Sequence, residues 1–264
     1  MIRHGVRRLA ASIQRLSRLR RFRPVDVSHA FLIGAMKCGT WTMFKLLRGH
    51  PQIAASRPKE LKFFSTTPRA EWHRYHEYFD LTPSTKVLLE GTTQYSKHPD
   101  TTDVAFKISL YDRSSKFIYL MRDPIRRVES QLAHRVARRE IPEGADARAR
   151  EIRRAINYSK YFTQLGIYAS IFGVEQIYAR TFESFVADQE GTVRECCEFL
   201  GIEQPSEVHV LPPQNVRKRD NGADKIALTA AEKHLIRETL YREVLSLEAA
   251  FGISTRAWKD FWQS

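Results

Sequence analysis

The chain is poor in cysteine, with three in 264 residues: Cys38, Cys196 and Cys197. Adjacent cysteines rarely bridge each other, so there is no disulfide framework, and a reducing, cytoplasmic setting is expected. No Cys/His spacing matches a zinc site, and no metal is expected. No run of 18 apolar residues occurs, which argues against a transmembrane helix, and there is no secretory apolar core. Gly/Ser/Pro-rich linkers, internal repeats and low-complexity tracts are also missing, so one domain is expected. Acidic residues are few beside basic ones, 30 against 43, for a net charge of +13. Residues 1–23 hold eight arginines and no acid at all, which leaves +5 for the rest.

Within that tail Ile2, Val6, Leu9, Ile13, Leu16 and Leu19 recur at helical spacing. A basic amphipathic helix can lie on an anionic membrane surface, serve as a targeting peptide, or stay solvated. Residues 1–27 are therefore set apart from a domain spanning 28–264, with peripheral membrane contact expected of 1–23. Nucleic acid is not an expected partner. The arginine excess is mostly in the tail, and no aromatic-rich RNA motif or paired Cys/His finger spacing appears.

Across 28–264 short apolar runs alternate with helical patterns. Ala30–Ile33, Val87–Glu90, Lys116–Met121 and Glu175–Ala179 read as buried strands. Helical patterns cover roughly 69–79, 99–111, 124–138, 157–171, 182–200 and 229–250. The alternation predicts an α/β fold, P-loop-like and three-layered, with a central, mainly parallel sheet flanked by helices. Residues 140–155 are densely charged and read as a mobile surface insertion. Residues 203–223 read as a long basic loop, a length that is usually functional or disordered.

Chemistry is suggested first by Phe31-Leu-Ile-Gly34-Ala-Met-Lys37-Cys38-Gly39-Thr40-Trp41-Thr42. A strand stops at Gly34 and a helix begins near Thr40. Loop N–H groups and the positive end of the helix then converge on one anion. The spacing is that of a P-loop, but G-x-x-x-x-G-K-[ST] needs Lys after the second Gly. Here Thr40 follows Gly39, and the cation sits earlier, at Lys37. A P-loop kinase or hydrolase would also need a strand-end Asp for magnesium, which is not evident.

Two further segments carry charge in patterns. In Arg57-Pro-Lys59-Glu60-Leu-Lys62-Phe-Phe64 a carboxylate is flanked by cations that favour its ionised form, as suits a general base. Alone, it also matches an exposed charge run ahead of a core aromatic pair. In Arg122-Asp-Pro-Ile-Arg-Arg-Val-Glu-Ser130 an Arg at a strand end precedes a Ser about two helical turns on. A guanidinium fork and a hydroxyl can hold one phosphate, although an Arg122–Asp123 pair and a solvated Ser fit as well. The loops at 34–40 and 122–124 both follow parallel strands and should face one crevice.

Taken together, in this order and spacing, the three segments resemble the sulfotransferase superfamily that uses 3′-phosphoadenosine 5′-phosphosulfate. The closest resemblance is to its bacterial and Golgi-type carbohydrate-modifying branch, with its x-K-x-G-T, P-K-E-x-x-F-F and R-[DN]-P-x-x-R-x-x-S motifs. It covers roughly residues 28–252, including Tyr161, Leu165, Tyr168, Phe172-Gly173 and Phe199-Leu200-Gly201. The resemblance implies that Lys37, Cys38, Gly39, Thr40, Trp41 and Thr42 bind the 5′-phosphosulfate, with Lys37 also catalytic at the bridging oxygen. Arg122 and Ser130 would bind the 3′-phosphate, and one of Arg217, Lys218 and Arg219 would close over the nucleotide. Glu60 would be the base, and Lys59, Lys62, Glu90 and Tyr95 would meet the acceptor. Glu90-Gly91-Thr92-Thr93-Gln94-Tyr95 is similar to the family's E-K-[ST]-P-x-Y segment, with Gly91 in place of Lys. The implied reaction moves a sulfuryl group to an acceptor hydroxyl without a metal, releasing adenosine 3′,5′-diphosphate. The expected acceptor is a glycan or glycolipid, with a small phenol or metabolite as the alternative.

Overall fold

The computed structural model describes residues 27–141, 144–212 and 227–263. The basic tail, and Arg217, Lys218 and Arg219, lie outside the described residues. Five strands, β1 (Ser28–Gly34), β2 (Ile53–Ala55), β3 (Val87–Gly91), β4 (Lys116–Met121) and β5 (Ile177–Thr181), form one sheet. Every pairing is parallel, in the order β2-β3-β1-β4-β5. Helices flank the sheet, so its inner strands are apolar on both faces. From His29 to Gly34, β1 is buried throughout. Phe31 stacks on its register partner Phe117 at 5.7 Å between ring centroids. Each such fully buried aromatic or aliphatic side chain is worth about 1.5–3 kcal/mol. The chain winds outward from β1 to β3 on one side and to β4 on the other. The order therefore reverses at β1, and ligands of such sheets sit outside the carboxyl ends of the strands there.

The helices are α1 (Thr40–Arg48), the single turn α2 (Phe63–Thr66), α3 (Val104–Tyr111), α4 (Pro124–Ala137), α5 (Ala145–Tyr158), α6 (Tyr161–Phe172), α7 (Phe182–Ala187), α8 (Gln189–Leu200), α9 (Ala230–Phe251) and α10 (Lys259–Trp262). Several sequence expectations are corrected. The charged stretch 140–155 is not a loose insertion, because α5 occupies most of it. Ala147, Glu151, Ile152, Ala155 and Ile156 fall on one buried face, and Ala, Arg and Glu are good helix formers. The helix expected at 157–171 is α6 alone, separated from α5 by Ser159 and Lys160. The one expected at 182–200 breaks at Asp188, whose side chain caps α8 through Gly191 N–H at 2.8 Å. Residues 69–78 form a 3-10 rather than an α-helical run. Strand β2 was not foreseen, since three residues are too few to show a period.

Two devices fix the ends that bear on the site. Asp123 caps α4, accepting from Ile125 N–H at 2.9 Å and, through its other oxygen, from Phe261 N–H at 3.0 Å. Glu183 accepts from Asp123 N–H at 3.2 Å and from the Trp258 indole at 3.0 Å. The C-terminal segment thereby pins the turn that carries Arg122. At α9 a Thr229/Glu232 capping box forms, and Glu232 also pairs with Arg148 of α5 at 2.7 Å.

Candidate functional site

At the carboxyl ends of β1, β3 and β4 lies a cavity of about 1000 Å³. It brings together Lys37, Gly39, Thr40, Trp41 and Thr42 from the loop after β1, Glu60 and Lys62, and Arg122 and Ser130. The three sequence segments, up to 93 residues apart, thus face one space. Thr93 and Gln94, from the segment likened to E-K-[ST]-P-x-Y, line it too, and so do side chains that the sequence did not single out: Lys97 after β3, Arg154 and Tyr158 on α5, and Phe182, Phe185 and Val186 on α7.

The first helical bond back to the loop runs from Met43 N–H to Gly39 O at 3.1 Å. The amides of Thr40, Trp41 and Thr42 therefore precede the ladder of α1. Gly39 has φ 81°, and a Cβ there would sit 2.8 Å from the Phe182 ring. At Gly34 a Cβ would collide with Tyr119 and with Ser96 Oγ. Lys37, Glu60 and Lys62 are non-glycine residues with φ of 74°, 62° and 60°. Each costs about 1–2 kcal/mol against the ordinary right-handed region. Such strain clusters at functional sites, and all three residues line the cavity.

Glu60 hangs by its N–H from Gly91 O at 2.7 Å. Its carboxylate accepts from Thr93 N–H at 2.9 Å and from Lys59 Nζ at 2.6 Å. The side chain stays 36% exposed, open to the cavity. Lys59 itself is nearly buried and lies off the cavity, 5.9 Å from the Trp41 ring. Its position is that of a partner for Glu60 rather than of an acceptor contact. Glu90 and Tyr95 also lie beneath the floor. Glu90 is fully buried, accepting from Tyr75 Oη at 2.9 Å and Thr92 Oγ1 at 2.6 Å, and burial pushes its carboxyl up. Tyr95 Oη accepts from Phe64 N–H at 2.8 Å. Gly91 permits the close approach, since a Cβ there would lie 2.6 Å from Phe44. Cys38 points into the core, and burial pushes its thiol up to about 12 despite Arg127 and Arg122 nearby.

Arg122 leaves the end of β4. Its carbonyl accepts from Tyr161 Oη at 2.7 Å, and its guanidinium lies 4.8 Å from the centre of the Phe182 ring. The neighbouring Arg127 is entirely buried. It donates to Ser159 Oγ at 2.6 Å, Ala155 O at 2.5 Å, Gln131 Oε1 at 3.0 Å and Met36 O at 3.4 Å. Among the described residues it has no carboxylate within ion-pair reach. A buried cation therefore sits directly behind the loop. Arg127 is the second Arg of the R-[DN]-P-x-x-R-x-x-S pattern, but nothing in that spacing marks it as interior.

A parallel sheet that reverses at β1, with a glycine-containing loop leading from β1 into α1, defines an α/β protein of P-loop-like fold. The Sulfotransferase domain profile matches residues 27–219, and the chain belongs to that family. Mouse heparan sulfate glucosamine 3-O-sulfotransferase 3A1 is 28% identical over 242 residues, 83% of this chain and 58% of that protein. The membrane-associated sulfotransferase kil1 of Dictyostelium discoideum is 34% identical over 103 residues, 38% of this chain and 21% of that protein. The chain thus spans less than two thirds of the curated relatives it matches. A sulfotransferase from Alicyclobacillus acidocaldarius superposes with a TM-score of 0.69 at 24% identity, covering 88% of this chain and 98% of that one. Mouse sulfotransferase SULT7A1 complexed with PAP gives 0.55 at 14% identity, with coverage of 89% and 88%. Both likenesses show the fold.

Proposed function

We propose that this protein transfers a sulfuryl group from 3′-phosphoadenosine 5′-phosphosulfate to a hydroxyl of a carbohydrate or glycolipid. The observation that carries the reading is the meeting of three separate functions in one cavity: an anion loop, an Arg/Ser pair, and a carboxylate held open to solvent. The residues fit a doubly phosphorylated nucleotide. Lys37 and the amides of 39–42 suit the 5′ end, and Arg122 with Ser130 suits a second phosphate. Phe182, Phe185 and Val186 supply an apolar wall. The family resemblance adds one of Arg217, Lys218 and Arg219, which lie outside the described residues, as a further nucleotide contact.

The donor supplies an activated sulfuryl group. Glu60 takes the proton from the acceptor oxygen as that oxygen forms its bond to sulfur. Lys37 stabilises the negative charge left on the departing phosphate as the old bond to sulfur breaks. Sulfuryl transfer, like phosphoryl transfer, relies on positioning and charge stabilisation more than on covalent work. Thr93 and Lys59 hold the base in place. A carbohydrate acceptor is supported by the relatives named for heparan sulfate glucosamine.

Calorimetry with adenosine 3′,5′-diphosphate, against ADP and ATP, tests the donor site. Preference for the 3′-phosphorylated nucleotide is expected, and a magnesium-dependent preference for ATP would sink the reading. Glu60→Gln should lower transfer to a glycan panel about 10²–10⁴-fold while keeping nucleotide affinity. Lys37→Ala should damage both. Equal loss of nucleotide binding in the two variants would make Glu60 structural.

A further inference from the structure

The peptide unit that joins Arg122 to Asp123 is held at both ends by side chains from elsewhere in the chain. Its carbonyl accepts from Tyr161 Oη of α6 at 2.7 Å, and its N–H donates to Glu183 Oε1 of α7 at 3.2 Å. Tyr161 Oη also accepts from Arg122 N–H at 3.4 Å. Both clamps rest on one residue. The Trp258 indole donates to Glu183 Oε2 at 3.0 Å, and its ring packs against the Tyr161 ring, 5.7 Å between centroids. Trp258 has no exposed surface and Tyr161 almost none. Two side chains on different helices, braced by one C-terminal tryptophan, thus fix the orientation of a single peptide plane.

That plane matters because of what it joins. Arg122 lies on its strand side, just past β4, and Ser130 on its helix side, in α4. The peptide is planar, so turning it changes ψ of Arg122 and φ of Asp123 and swings the guanidinium relative to Ser130. The helix side is fixed as well. Asp123 caps α4 through Ile125 N–H, and its other oxygen takes Phe261 N–H from α10. Phe182, whose ring centre lies 4.8 Å from the Arg122 guanidinium, is the residue before Glu183. Burial raises the Glu183 carboxyl, while its hydrogen bonds, and then the charge of Arg122, draw it down. Neither Glu183 nor Trp258 lines the cavity. Stability asks only that each buried polar group find some partner. It does not ask that the partners converge on the one peptide next to Arg122.

We propose that Glu183 and Trp258 are positioning residues for the second phosphate of the nucleotide, setting Arg122 against Ser130 through the peptide between residues 122 and 123. This rests on Arg122 and Ser130 holding that phosphate, as in the proposed transfer. Binding groups must be held within about 0.5 Å of their productive geometry, so a clamp on the backbone beside one of them is felt as affinity.

The probes are adenosine 3′,5′-diphosphate and adenosine 5′-monophosphate, which differ only in the 3′-phosphate. Both are titrated by calorimetry into the whole protein, well below its melting temperature. Wild type should prefer the diphosphate. Glu183→Leu removes both acceptor oxygens and should cut that preference about tenfold, the size of one hydrogen bond to a charged group, with monophosphate affinity unchanged. Glu183→Gln keeps one acceptor oxygen and should fall between. Trp258→Phe, which loses the indole N–H and part of the ring, should move the same way. Trp262→Phe is the control: its indole bonds Thr255 O at 3.0 Å and not Glu183, so it should keep the full preference. Variants at 183 and 258 that melt lower but keep the wild-type preference overturn the proposal and leave a structural brace. So does equal loss of both nucleotides, or a Trp262→Phe variant that loses the preference as well. Wild type that binds the two nucleotides equally, read before any variant, overturns the donor reading first, and the clamp falls with it.

Discussion

Arg127 offers the sharpest check on how the loop is built. Replacing it with Met keeps much of the volume but removes the charge and all four hydrogen bonds. Two of the acceptors recover. Ser159 Oγ already reaches Ala155 O at 3.0 Å, so that pair stays satisfied. Gln131 Oε1 does not, and Met36 O, which is only part-buried, keeps just the weak Cys38 S–H bond at 3.8 Å, at about 1–3 kcal/mol for each acceptor left short. Against this, removing a buried cation without a carboxylate partner relieves several kcal/mol of desolvation. The net cost to the ligand-free protein should be about 2 kcal/mol, or roughly 4–8 °C in Tm for a domain of this size. The larger effect should be on nucleotide binding. A unit charge acting on an anion across the loop, over roughly 8 Å in an effective dielectric of ~20, is worth about 2 kcal/mol. Affinity for adenosine 3′,5′-diphosphate should then fall about 30-fold. Arg127→Lys should restore most of the affinity but little of the Tm, because it keeps the charge and loses the fork. Melting curves with and without nucleotide, together with calorimetry, read both quantities. A Met variant that melts lower yet binds nucleotide as tightly as wild type would refute any electrostatic part for Arg127.

Two more outcomes follow from buried groups. Cys38 is buried with its thiol at about 12, so native protein should resist iodoacetamide at neutral pH, and mass spectrometry after urea unfolding should find the site free; rapid labelling of Cys38 in the native state would show that the loop opens. At Asp112 burial pushes the carboxyl up, but hydrogen bonds from His29, at 2.7 Å, and Ser114 outweigh it and hold the group below its ordinary 3.8. Its stabilisation is therefore complete above 3.8 and lost as pH falls through the folded value. The advantage of wild type over Asp112→Asn in urea should be flat above about pH 5 and shrink below pH 3.8; an advantage that stays constant down to about pH 3 would contradict this.

The parallel α/β architecture was legible because its signals are local. Ala30–Ile33 and Lys116–Met121 are apolar without alternation, and only strands covered on both faces tolerate that. The loop after β1 was legible for the same reason, since Gly34, Lys37, Gly39 and Thr40 lie within seven residues. Where charge density hid an apolar face, as in α5, the reading failed: Ala147, Ile152, Ala155 and Ile156 are sparse beside the arginines, and only burial reveals that they share a side. Residues 157–171 and 182–200 misled for a different reason. Caps at single residues such as Asp188 break a pattern that hydrophobic periodicity carries straight through.

The sequence by itself determined the strand cores, the loop after β1 and the three charged segments, because each is written in residues that are neighbours along the chain. Only the tertiary structure decided which charges remain unpaired. Lys59 turns to Glu60 and Arg154 to Asp100, Arg127 goes inward to Met36, Glu90 sinks beneath the floor, and Lys62 and Lys97 are left facing the cavity. Ion pairing and desolvation depend on distances across elements up to 91 residues apart, and no spacing along the chain encodes them.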